Sequence, residues 1–313
     1  MPRKVEDFSV GDGPSLDALV RRMEGAGGFS SQQLVRGVDL LAQMLRDPDL
    51  TLFLSFPADV VATGTRGLLR ELIAGGYVDA VITTCGTIDH DLARTDRAYH
   101  HGEWELDDAA LRRQGKYRLG NLVIPEANYG PVVERRVSRL LERRWKTGQR
   151  SISARELVWE LGKDLGKKHG AASLCRAALE QQVPFIVPGL LDGAVGSQLW
   201  FFWQRHKEFR LDLFSDEAAL SDLVFGARRA GALMLGGGIS KHHTIWWSQF
   251  RGGLDAAVYV TTAVEWDGSL SGARTREAIS WGKVKPKAGH VTIAGDVTVV
   301  LPVLLGAALE RLR

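Results

Sequence analysis

The chain is poor in cysteine, in net charge and in long apolar runs. Only two cysteines, Cys85 and Cys175, occur in 313 residues, and neither belongs to a C-x-x-C or similar set. That excludes a disulfide scaffold and a cysteine-bound metal, and it points to a reducing, cytoplasmic setting. The 40 basic and 37 acidic residues leave a formal net charge of +3, so no nucleic-acid-coating surface is expected. The longest apolar run, 297–309, contains Pro302 and falls short of the roughly 18–20 residues a membrane span needs. It reads as a packed terminal helix. The polar start, Met1-Pro2-Arg3-Lys4-Val5-Glu6-Asp7, lacks the apolar core of a secretory signal. Internal repeats, low-complexity tracts and long Pro/Gly linkers are missing as well.

What remains is a globular composition, 45% hydrophobic and 25% charged, ample for a large core. Residues 25–31 make a small glycine-rich stop after a first helical stretch. The simplest division is an N-terminal helical extension, 1–48, on one domain, 49–313. Short apolar runs at 52–56, 78–82, 185–187, 232–235, 256–260 and 291–294 each precede a polar or glycine-rich cluster and a helix-like stretch. Apolar on both faces and spaced by helical lengths, they suit buried parallel strands. The expectation is a doubly wound α/β fold with a mostly parallel sheet and a Rossmann-like crevice beyond the carboxyl ends of its strands. The post-strand clusters at 84–91, 192–197, 236–243 and 267–271 are expected to converge on that crevice.

Four stretches carry chemistry. Gly236-Gly237-Gly238-Ile239-Ser240-Lys241-His242-His243 follows a strand directly, and its glycines would let the main chain approach a ligand closely. It is not G-x-G-x-x-G, and a tight strand-to-helix turn reads equally well. Adjacent histidines on a helix point about 100° apart, which suits one acid/base group beside a structural neighbour better than a chelate; no metal is expected. Asp267 and Ser271, in the loop starting at Glu265, could hold ribose hydroxyls or simply form turns, and Asp296 has the same two readings. In Ser280-Trp281-Gly282-Lys283, a lysine beside a large aromatic can be desolvated until its neutral amine is a nucleophile. The series Arg135, Arg136, Arg139, Arg143, Arg144 and Lys146 has helical spacing. It reads as a solvated face or as a docking site for an acidic macromolecule.

These residues resemble the deoxyhypusine synthase family, in one order from about Ser15 to the C-terminus. The match is densest at Tyr259-Val260-Thr261-Thr262-Ala263, Glu265-Trp266-Asp267-Gly268-Ser269, Ser271-Gly272-Ala273-Arg274 and Ser280-Trp281-Gly282-Lys283-Val284. Gly27-Gly28-Phe29, Thr83-Thr84, Arg118-Leu119-Gly120-Asn121 with Pro125, Asp192-Gly193 and the 236–243 block also match. The resemblance implies a transferase that uses NAD to move the aminobutyl group of spermidine, through a lysine imine, to one lysine of the precursor of the hypusine-bearing translation factor. It implies Lys283 as nucleophile and His242 as the histidine against the polyamine. Trp281 would be the aromatic wall and Glu277 a carboxylate for an amine end. His90, Ser197, Gly268, Ser269 and Leu270 fall on further substrate positions. Thr84, Cys85, Gly86, Asp192, Gly237, Thr262, Ala263, Asp267, Ser271, Asp296 and Val297 fall on NAD-contact positions. The family resemblance further implies a homotetramer with sites at dimer interfaces.

The chain departs from the family pattern in places. Ala58-Asp59 replaces a Ser-Asn pair, and His90, Ser197 and Leu270 stand where carboxylates are expected. Fewer carboxylates match a tricationic substrate less well, because a buried unpaired ammonium costs several kcal/mol. Two alternatives stay open: homospermidine-synthase-like transfer to a free diamine, and a non-catalytic NAD-binding scaffold.

Overall fold

The structure, a computed structural model, describes residues 4–10 and 15–313. Of the polar start, Met1, Pro2 and Arg3 lie outside the described residues. The chain forms two compact units, neither continuous in sequence. The first takes Met1–Phe56, Tyr77–Ile82 and Leu220–Arg313; the second takes Pro57–Gly76 and Thr83–Ala219.

Five parallel strands build the first unit: Leu50–Ser55, Ala80–Ile82, Arg229–Leu235, Leu254–Thr261 and Val284–Ala294. They correspond to five of the six expected apolar runs; the sixth is the short strand Phe185–Ile186 of the second unit. In space the order is Val284–Ala294, Leu254–Thr261, Arg229–Leu235, Leu50–Ser55, Ala80–Ile82. The register sets Val258 between Leu233 and Val291, and Phe53 between Ala80 and Ala232, so the central strands are buried on both faces.

Side-chain alternation shows that both faces are covered. On the edge strand, a Cβ at Gly289 would touch Leu40, and Ile293 abuts Gly37 of the helix Phe29–Arg46. His290 and Thr292, pointing the other way, bond Thr275 of a loop on the opposite face. The expected N-terminal helices are Leu16–Ala26 and Phe29–Arg46, broken at Gly27 and Gly28, which adopt φ of 64° and 83°. They are tied to the terminal helix Val297–Glu310, where Glu310 accepts from the Asp17 N–H at 2.8 Å. None of the helices among the described residues is long and apolar enough to cross a membrane.

The strand order reverses between Leu50–Ser55 and Arg229–Leu235. In open α/β sheets that reversal opens the crevice where ligands bind. Gly236-Gly237-Gly238 leaves the sheet at this point.

The second unit is mainly helical and holds a feature the apolar runs did not announce. His100–His101, Leu122–Pro125 and Lys116–Leu119 form a small antiparallel sheet. Its hairpin turns at Gly120, with φ of 59°, inside the Arg118-Leu119-Gly120-Asn121 element.

Candidate active site

The glycine turn feeds the helix Gly238–Gln249. Gly236 and Gly238 take φ of 75° and 71°, which glycine alone adopts at low cost. Gly237 is required for a different reason: a Cβ there would overlap Ser271. The same contact lets the Gly238 N–H donate to the Ser271 hydroxyl at 3.1 Å. Segments 236–243 and 267–271 are thus stitched together within the first unit, as the sequence leads one to expect.

Below this junction lies a cavity of about 320 Å³, bounded by the helix Gly238–Gln249, the loop 270–275 and the turn 277–284. Lys283 lines it and is only 8% exposed. Its backbone is pinned on both sides, the N–H donating to Ala278 O at 2.9 Å and the carbonyl accepting from Leu254 N at 3.0 Å. The Nζ sits 5.1 Å from the Trp281 ring centroid and 5.7 Å from that of Trp246. Trp281 is 64% exposed, so it forms the outer wall.

His242 lines the cavity and His243 does not, which separates the two histidines as their helical spacing demands. Burial, reinforced by the charge of Lys283, holds the His242 pKa below its ordinary value. Its Nδ1 is buried without a hydrogen-bond partner, a costly state unless a ligand completes it. Glu277 reaches the cavity from the four-residue helix Glu277–Ser280.

Several lining residues were missed from the sequence, Trp246 and Lys241 among them. Trp246 follows His242 by one helical turn and stacks obliquely on it, with centroids 5.7 Å apart. The i, i+4 spacing was a signal in plain view. Lys241 is 4% exposed and donates to the carbonyls of Leu270 (2.7 Å) and Ala273. Burial pushes its pKa down to about 8, with Glu277 opposing and Arg274 and Lys283 adding to the shift.

The other nominated residues of the first unit are mostly engaged locally. Asp267 accepts from Ser269 N at 2.7 Å, and Ser269 accepts from Gly272 N at 3.0 Å. Gly268 provides the left-handed turn, with φ of 71°. Leu270 lines the Lys283 cavity. Thr262 and Ala263 end the strand Leu254–Thr261, where Ala263 N donates to Thr261 Oγ1 at 3.1 Å. Asp296 is the N-cap of Val297–Glu310 and receives Thr298 N at 2.9 Å on Oδ1.

In the second unit, Thr84 caps the helix Cys85–Asp96. The unnominated Asp89 joins segments 84–91 and 192–197. Its buried carboxylate accepts from Ala194 N and Val195 N, both at 2.8 Å, and from Tyr129 OH at 2.9 Å. Burial outweighs these donors and raises its pKa. Gly193 lies against Asp89 and Cys85, beside exposed Asp192. Cys85 is fully buried, its thiol pushed up to about 12 by burial and then by Asp89. Gly86 packs on Ala58. His90 pairs its Nδ1 with Tyr99 OH at 2.9 Å, and burial followed by Arg94 lowers its pKa to about 4. Ser197 donates back to Gly193 O at 3.0 Å.

The basic series lies on the helix Gly130–Lys146. Arg135 and Arg136 pair with Asp96, Arg143 with Asp164 and Glu160, and Arg144 with Glu160 and Glu156. Most of that charge is therefore neutralised inside the second unit. Among the described residues no cluster of His, Cys, Asp and Glu has the makings of a metal site.

A doubly wound sheet with a glycine turn at its switch point, next to a buried lysine between two indoles, defines an α/β enzyme built for amine chemistry. The deoxyhypusine synthase family model matches residues 18–308. The "Probable deoxyhypusine synthase" of Picrophilus torridus is 46% identical over 98% of this chain and 97% of its own length. Its counterpart in Ignicoccus hospitalis is 48% identical over 99% and 96%. A crystal structure from Entamoeba histolytica assigned to deoxyhypusine synthase shares the fold, with a TM-score of 0.65 at 17% identity, covering 98% of this chain and 97% of that one. The chain belongs to the deoxyhypusine synthase family, transferases whose reaction is NAD-dependent aminobutyl transfer.

Proposed function

We propose that this chain binds NAD and spermidine and passes the aminobutyl group through an imine on Lys283 to one lysine of the hypusine-bearing translation factor precursor. The carrying observation is the burial of Lys283 between Trp281 and Trp246, in a cavity that also presents His242 and Glu277. NAD, when bound, would take a hydride from the carbon beside the secondary amine of spermidine and return it to the final imine. The switch-point turn at Gly238, where a Cβ would meet open space, and the Asp296 carboxylate, with Oδ2 free of hydrogen bonds among the described residues, fit such a group.

His242, held neutral at pH 7, takes the proton that the substrate amine must lose before hydride departs. Lys283 in its neutral form attacks the substrate imine carbon. The C–N bond breaks, diaminopropane leaves with its electron pair and a proton, and the butyl fragment stays on Nζ. The acceptor lysine attacks the same carbon and frees Lys283. Glu277 faces an ammonium end, and the indoles exclude water and offer their faces to the cation.

In this reading the NAD-contact positions are Gly237, Thr262, Ala263, Asp267, Ser271, Asp296, Val297, Thr84, Cys85, Gly86 and Asp192. His90, Ser197, Gly268, Ser269, Leu270 and Glu277 contact substrate. A cytoplasmic homotetramer with sites at dimer interfaces, and an N-terminal extension 1–48 on a catalytic domain 49–313, belong to the same proposal. Glu277 is the one carboxylate lining the Lys283 cavity among the described residues, which favours transfer to a free diamine as the second reading.

Borohydride added during turnover with NAD and labelled spermidine should leave the label on the peptide containing Lys283. Discharge by the translation factor precursor supports the first reading, and discharge by putrescine alone the second. No label at Lys283 with any polyamine would defeat both.

A further inference from the structure

Lys241 has no part in the reaction as written, yet it is buried at the cavity floor with its ammonium turned into the loop above. Two of its N–H groups reach the carbonyls of Leu270 and Ala273. Its charge lies 4.1 Å from the Tyr259 ring centroid. The neighbouring carbonyl, that of Ser271, accepts from Tyr259 OH at 2.6 Å and from Thr261 Oγ1 at 3.1 Å. Three side chains of the sheet and helix thus hold three carbonyls of one irregular loop. Few other tertiary bonds fix this segment: the Ser271 hydroxyl receives Gly238 N, and the remaining bonds of 268–273 are local turns. A neutral side chain would satisfy at most part of this set, and an apolar one would leave two carbonyls bare.

We propose that Lys241 is a positioning residue, whose ammonium locks the loop 268–274 into place as the wall of the Lys283 cavity and as one side of the cofactor crevice. This rests on the reading of Lys283 as the reacting amine. Asp267 directly precedes the loop, which carries Ser271 and lays Leu270, Ala273 and Arg274 along the cavity. Loosening it raises the demand for NAD more than it slows the bound complex. The charged and titratable groups facing the Lys241 amine are Glu277 from the short helix, Arg274 from the loop, Lys283 from the following turn, His242 from its own helix and Tyr259 from the sheet.

The test compares full-length wild type with Lys241→Met, Lys241→Arg and Tyr259→Phe by hydrogen exchange, steady-state kinetics and imine trapping. Lys241→Met should speed exchange of the 269–274 amides about tenfold or more, as a local opening made easier. It should raise KM for NAD about tenfold or more while kcat at saturating NAD falls less, and label should still reach Lys283. Lys241→Arg, which keeps charge and donors, should restore most of both. Tyr259→Phe should move both in the same direction by less, and it carries the test if Lys241→Met does not fold. Unchanged loop exchange in both variants overturns the proposal. So does loss of labelling at saturating NAD with the loop still protected, because Lys241 would then act on the reacting atoms. Failure of wild type to label Lys283 defeats the active-site reading instead, and the exchange result still decides whether Lys241 holds the loop.

Discussion

Lys283 and Trp246 come from a turn and a helix far apart in sequence, yet the lysine Nζ lies 5.7 Å from the indole centroid. With the Trp281 centroid 5.1 Å away as well, the amine lies beside two indoles, and Lys283 is only 8% exposed. Replacing Lys283 by Arg keeps the charge but removes the group that can lose a proton. Turnover should fall by about three orders of magnitude or more, since covalent catalysis is lost. Borohydride trapping should vanish while NAD still raises the melting temperature. A trapped adduct elsewhere in the variant would move the nucleophile.

His242 should set the acid limb of the pH profile. Its pKa is lowered by burial and by Lys283, so the neutral base persists to below the ordinary histidine value and activity should decline only beneath about pH 6.5. His242→Gln should cost about 10²–10⁴-fold in kcat, the usual worth of a general base, and should abolish that limb. A variant that retains the wild-type limb would show that another group titrates.

NAD should stabilise the folded chain by about 2.7 kcal/mol at a concentration of 100 times its Kd, read as a thermal shift. Gly237→Val should remove this shift, because the new side chain would occupy the space held by Ser271. A shift of wild-type size in Gly237→Val would remove the glycine turn from the cofactor site.

His90 gives a stability prediction in the second unit. Its folded pKa is about 4 against about 6.5 in the unfolded chain. Between those values the unfolded state binds the extra proton, so stability is whole above about pH 6.5 and is lost as pH falls towards 4. At 1.4 kcal/mol per pH unit, up to about 3 kcal/mol is at stake. In urea titrations His90→Asn should show a flatter dependence across this window. Equal slopes would mean that His90 is not buried neutral.

The local patterns that can be read from the sequence are those set by nearest neighbours. Apolar runs bounded by turn residues became strands, five of them in the parallel sheet of the first unit. The Ser280-Trp281-Gly282-Lys283 element pointed to Lys283, which lines the cavity, and the pair His242 and His243 separated as helical geometry requires. The antiparallel hairpin around Gly120 escaped because Lys116–Leu119 carries two basic residues and the apolar stretch Leu122-Val123-Ile124 is short and ends at Pro125. The basic series was ambiguous because its partners lie in other helices, Asp96 at the end of Cys85–Asp96 and Glu156, Glu160 and Asp164 on Ala154–Leu165.

The sequence by itself determined the family and most of the strands, and it singled out Lys283 as the proposed reactive amine, since each is carried by contiguous residues. Tertiary structure alone decided what surrounds that amine. Lys241 looks like one more lysine beside two histidines until folding buries it beneath the carbonyls of Leu270 and Ala273. Asp89 looks like an ordinary helix residue until it caps the helix Ala194–Arg205. Burial and the pairing of polar groups across long sequence separations are properties of the packed chain, and no local pattern encodes them.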